Sequence, residues 1–163
     1  MIGRIDRLAL ALARALALIG GAILIALIAM ICISITTRAL GFGPVTGDYE
    51  LVELGTALAV FAFLPFCQIT GAHARVDVLT HRLGPRGWAL LDGLWAVALA
   101  VVMALIAWKL AEGMAGKRMA AETTFLRQIP VWWAYAGALP MAAVAALIAA
   151  WSALRAILPG ARA

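Results

Sequence analysis

Glu50 and Glu53 stand three residues apart, so a helix would put both carboxylates on one face. Such a pair could handle a proton or a cation. It could equally be an acidic patch at a membrane surface that pairs with Arg38 or with a partner protein, and structural ion pairs of this kind are common. His73 and His81 are the other candidate ligands. Haem held between membrane helices needs histidines inside those helices, and these two share one stretch between apolar runs. A zinc site would want a third or fourth ligand beside them. Cys32 and Cys67 give no disulfide framework: they lie toward opposite ends of neighbouring apolar runs, with depths that differ by roughly 10 Å or more, beyond the reach of a bridge. The chain has no nucleophile–base constellation, no phosphate-binding loop and no CxxC motif. The sequence therefore predicts no enzyme, no metal and no cofactor.

The elements that carry these residues are membrane spans. Residues 15–37, 54–72, 93–108 and 128–154 contain none of the 21 charged side chains. A bilayer core of about 30 Å takes about 20 apolar residues in a helix, and backbone groups in lipid must be satisfied inside that helix. The predicted spans are 15–37, 50–71, 88–110 and 131–154, in one all-α integral membrane domain over residues 1–163. Short connections leave no room for a separate soluble domain. Arg4, Arg7 and Arg14 ahead of an apolar run imitate a secretory signal, but the run outlasts a signal core of about 7–15 residues, so an uncleaved first span is expected.

Charge sets the expected orientation. With the N-terminus cytoplasmic, Arg4, Arg7, Arg14, Arg75, Arg82, Arg86, Arg155 and Arg162 fall inside. Arg38, Lys109, Lys117, Arg118 and Arg127 fall outside, which favours both termini in the cytoplasm. The net charge of +5 marks orientation rather than nucleic-acid binding, because the basic residues flank spans and form no contiguous patch. Trp88, Trp108, Trp132, Trp133 and Trp151, with Tyr49 and Tyr135, fall near predicted span ends, where amphipathic rings sit at headgroup level.

Between spans, residues 2–14 suit an amphipathic turn or two at the inner surface. The Gly41–Gly47 segment is rich in turn formers. In the inner loop Val76, Leu79 and Leu83 share a helical face, which predicts a short in-plane amphipathic helix stopped near Gly84-Pro85. Pro130 suits the first turn of span 4, while Pro65 and Pro140 lie inside spans. Ala134, Ala138, Ala142, Ala146 and Ala150 repeat every four residues and predict a close-packing ridge.

The middle of every span is free of ionisable residues. Solute and proton pathways need polar groups near the midplane. A conduit for a charged solute therefore finds little to work with in this chain alone.

Several motifs in order resemble the small membrane subunit (DctQ type) of tripartite ATP-independent periplasmic (TRAP) transporters. They are Pro44-Val45-Thr46-Gly47-Asp48-Tyr49-Glu50-Leu51-Val52-Glu53, Phe63-Leu64-Pro65-Phe66-Cys67-Gln68, Gly71-Ala72-His73-Ala74-Arg75-Val76-Asp77, and Glu122-Thr123-Thr124 through Ile129-Pro130-Val131-Trp132-Trp133-Ala134-Tyr135. The similarity covers about residues 15–155. Ala74 departs from it, where many relatives carry a bulkier apolar residue.

The resemblance implies a non-catalytic scaffold in the bacterial inner membrane. Its partners would be a large multi-span membrane subunit that uses a sodium gradient, a periplasmic binding protein that delivers an organic anion such as a carboxylate or sugar acid, and membrane lipids. The candidate partner-interface residues are Arg38, Asp48, Glu50, Glu53, His73, Arg75, Asp77 and Arg127. The competing expectation is a four-helix membrane anchor of a redox complex, with haem or quinone held through His73 and His81.

Overall fold

The computed structural model describes residues 2–71 and 85–157. Among them it is all helical: α1 spans Ile2–Ala39, α2 Asp48–Thr70, α3 Pro85–Met119 and α4 Trp132–Ile157. All four are long and apolar enough to cross a bilayer. The predicted in-plane helix of the inner loop, with His73, Arg75, Asp77 and His81, lies outside the described residues.

Two helices outrun their predicted spans. α1 is continuous from Ile2, so the basic N-terminal segment is its first turns rather than a separate surface piece. α3 continues past residue 110 to Met119. At a rise of about 1.5 Å per residue, each exceeds the thickness of the hydrocarbon core. Lys109, Glu112 and Lys117 do not stop α3, because Lys and Glu are good helix formers and pair along it: Lys109 Nζ lies 2.7 Å from Glu112 Oε2.

Backbone chemistry sets the ends. α1 closes in a Schellman turn: Phe42 N–H donates to Thr37 O at 3.0 Å and Gly41 N–H to Arg38 O at 3.2 Å, with Gly41 at φ 84°. α3 closes in the same way through Glu122 N–H to Lys117 O and Ala121 N–H to Arg118 O, both 3.2 Å, but here the left-handed position is held by Ala121 at φ 48°. Asp48 and Glu50 occupy the first turn of α2, where negative charge opposes the positive end of the helix dipole.

α1 packs on α2, α2 on α4 and α4 on α3. α2 and α4 are thus the inner pair, flanked by α1 and α3. The α1–α2 contact is close at Gly20, where a Cβ would come within 2.9 Å of the Ala62 Cβ and 3.2 Å of the Ala59 carbonyl oxygen. Met103, Ala145 and Ala149 form the core between α3 and α4, with Leu64 of α2 packed against it. The alanine ridge of α4 differs from the four-residue repeat. Its buried members are Ala138, Ala142, Ala145, Ala149 and Ala153, while Ala150 is exposed. A strict step of four drifts around a helix of 3.6 residues per turn, and the contact stripe follows the mixed three–four spacing. Far from the interhelical loops just described, Trp151 Nε1 donates to Asp6 Oδ1 at 2.9 Å and ties α4 to the start of α1.

Candidate functional site

A hydrogen-bonded cluster of polar residues forms at the end of the bundle that carries the α1–α2 and α3–α4 connections. Ser34, in the last turns of α1, is only 2 % exposed. Its hydroxyl donates to Asp48 Oδ2 at 2.5 Å and accepts from Val45 N–H at 3.1 Å. One side chain therefore fixes both the connection and the start of α2. Asp48 Oδ1 also accepts the Tyr49 N–H at 2.8 Å.

Glu50, two residues further along α2, reaches the opposite loop. Its carboxylate accepts the backbone N–H of Leu126 at 2.5 Å and of Arg127 at 3.0 Å. Those N–H groups converge because residues 122–131 fold on themselves. Thr123 and Pro130 form an antiparallel bridge. Thr124 N–H donates to Ile129 O at 2.9 Å, Val131 N–H to Glu122 O at 3.0 Å, and Ile129 N–H to the Thr124 hydroxyl at 3.0 Å. Successive amides presented in this way make an anion cradle, and the chain fills it with its own carboxylate.

Arg127 returns the link. Its Nε donates to Thr46 O at 2.7 Å, and its stem passes over Gly47, where a Cβ would lie 2.6 Å from Arg127 Cγ. Gly47 has φ 73°, so both its conformation and its missing side chain are used. Lys117 Nζ pairs with Glu122 Oε2 at 2.6 Å, and the Arg118 guanidinium lies 5.4 Å from the Trp132 ring centroid. Pro130 precedes the first turn of α4, and its carbonyl accepts the Trp133 N–H.

Asp48, Glu50 and Arg127 are thus brought together, with Ser34 and the 122–131 loop as partners that the spacing of charges did not reveal. The signal that could have found them is the loop's Thr-rich, Pro-terminated sequence opposite an acidic helix start. Arg38 is exposed, and no ion pair joins it to Glu50 or Glu53 among the described residues. Glu53 stands apart on the exposed side of α2. It borders a groove of about 260 Å³ with Leu54, Ala57 and Phe61 of α2, Leu110 of α3, and Tyr135 and Ala138 of α4. His73, Arg75 and Asp77 lie outside the described residues.

This arrangement ties the two loops to the start of α2. Among the described residues no group of three or more His, Cys, Asp or Glu could hold a metal ion. Comparison with curated proteins and with solved structures gives no match. A family model does match residues 27–159, that of the DctQ component of tripartite ATP-independent periplasmic transporters. It lends no support to a haem or quinone anchor, since the match is to a transporter component. The matched segment takes in the last third of α1, all of α2, α3 and α4, and both loops of the polar cluster, and the chain belongs to the DctQ component family of tripartite ATP-independent periplasmic transporters.

Proposed function

We propose that this chain is the static, non-transporting membrane subunit of its TRAP transporter. It would scaffold a large membrane subunit that takes up an organic anion, a carboxylate or sugar acid, with a sodium gradient. The observation that carries this reading is the lack of ionisable residues in the middle of all four spans, in a chain of the DctQ family. A carrier for a charged solute needs midplane polar groups, so the conduit belongs to another polypeptide.

In this reading both termini are cytoplasmic in the bacterial inner membrane. The end with the polar cluster is periplasmic, where the binding protein docks. Support for docking there comes from apolar side chains on its loops: Phe42 is 84 % exposed and Phe125 92 % exposed. The locked loops would hold these rings in fixed positions, and Arg38 adds charge beside them. Residues 1–163 act as one membrane domain with lipid around it.

Deleting the chain from its host tests the scaffold role. The membrane level of the large subunit should fall and recover on re-expression. An unchanged level of a fully active large subunit would contradict the proposal.

A further inference from the structure

The free face of α2 differs from the free faces of its neighbours. α1 exposes Leu18, Ile25, Ile28 and Ile35, and α3 exposes Leu94, Val101, Val102 and Leu105. These bulky aliphatic side chains suit lipid tails, although α1 also exposes Ala22, Ala26 and Ala29 among them. α2 exposes Tyr49, Glu53, Thr56, Ala57 and Val60, which fall within about 100° of one another around the helix. Its buried residues Ala59, Ala62 and Pro65 take the opposite side. Thr56 and Ala57 on this face are short enough to let a second helix backbone come close, between the larger exposed Tyr49 and Val60.

Glu53 makes the difference sharper. Glu50 and Asp48 have their acceptors filled, and Glu112 and Glu122 are paired with lysines. The Glu53 carboxylate has no hydrogen-bond or ion-pair partner among the described residues. It lies five residues into α2, about 7.5 Å from the helix start, directly before the uncharged run that begins at Leu54. A carboxylate at the edge of an uncharged run is stabilised when a cation meets it. The apolar groove beside it, walled by Leu110, Tyr135 and Ala138, and a shallow strip of about 450 Å³ along Tyr49, Glu53, Thr56 and Val60, flank the ridge formed by Glu53, Ala57 and Phe61. Ridge and grooves have the form on which one helix packs against another.

We propose that this face of α2 seats one transmembrane helix of the large subunit, which presents an arginine or lysine to Glu53 near its periplasmic end and small residues to Ala57. The inference rests on the accessory-subunit reading and adds the face and its chemistry. An arginine would match the carboxylate with two parallel hydrogen bonds.

Cross-linking in native membranes tests it. Cys32 and Cys67 are first replaced by serine, and a photoreactive maleimide is attached at Thr56→Cys or Val60→Cys. Both positions should cross-link to the large subunit. Glu53→Lys should lower the recovered large subunit about tenfold or more, because like charges would then face each other. Glu53→Lys should leave the melting temperature of the isolated chain unchanged, since Glu53 makes no ion pair with any described residue of its own chain; a large fall there would overturn the claim that this carboxylate serves only an outside partner. Cross-links to lipid alone, with the large subunit still recovered with the wild-type chain, would overturn the proposal and leave the accessory reading standing. Recovery of no large subunit with the wild-type chain would overturn both.

Discussion

At the residue scale, acids of the same type and region do different work according to what faces them. Glu50 and Glu53 are three residues apart, yet Glu50 accepts two loop amides and Glu53 accepts none. Replacing Glu50 with Ala leaves the Leu126 and Arg127 amides without an acceptor. The expected outcome is a lower melting temperature in detergent and faster proteolysis within 122–131, read by mass spectrometry of the fragments, while Glu53→Ala changes neither. Equal behaviour of the two variants would contradict the loop lock. Ser34→Ala removes a buried hydroxyl that serves both Asp48 and Val45. A cost of about 1–3 kcal/mol is expected for stranding those partners, measurable by denaturant unfolding in mixed micelles. Gly47→Ala should be at least as harmful, because φ 73° is strained for alanine and the added Cβ meets the Arg127 stem.

At the element scale, the turns and the close approaches can be tested apart from the polar cluster. Ala121 holds a left-handed position at the end of α3. Ala121→Gly should raise stability by about 0.5 kcal/mol or more, the relief of backbone strain less the added freedom of the unfolded chain; a fall would mean that the Schellman turn is not populated. Gly20→Leu should separate α1 from α2, at a cost of about 1–3 kcal/mol for overpacking, seen as loss of a cross-link between cysteines placed on the two helices.

Four spans were legible in the sequence because charge exclusion from hydrocarbon is strong and local. Their ends were less so. α3 runs on to Met119 because helix propensity and Lys–Glu pairing continue after the apolar run stops. The mixed stripe Ala138, Ala142, Ala145, Ala149 could not be chosen from a chain so rich in alanine without knowing which face α3 covers. The link from Glu50 to residues 126–127 joins positions over seventy residues apart, and nothing in local spacing encodes it. Charge placement puts Asp48, Glu50 and Arg127 at the same end of the spans, but it does not reveal the backbone amides that receive Glu50.

At the scale of the whole molecule, charged residues flank the spans while the span centres stay apolar. The inner pair α2 and α4 is covered on its flanks by α1 and α3, which leaves the Glu53 face of α2 open. In the proposed reading such a bundle braces a larger protein and leaves solute transport to it. The most direct measurement is the composition and mass of the complex taken from native membranes in mild detergent through a tag on this 17.1 kDa chain. The account predicts a stoichiometric assembly with a large multi-span polypeptide. A stable homo-oligomer with no such companion would contradict it.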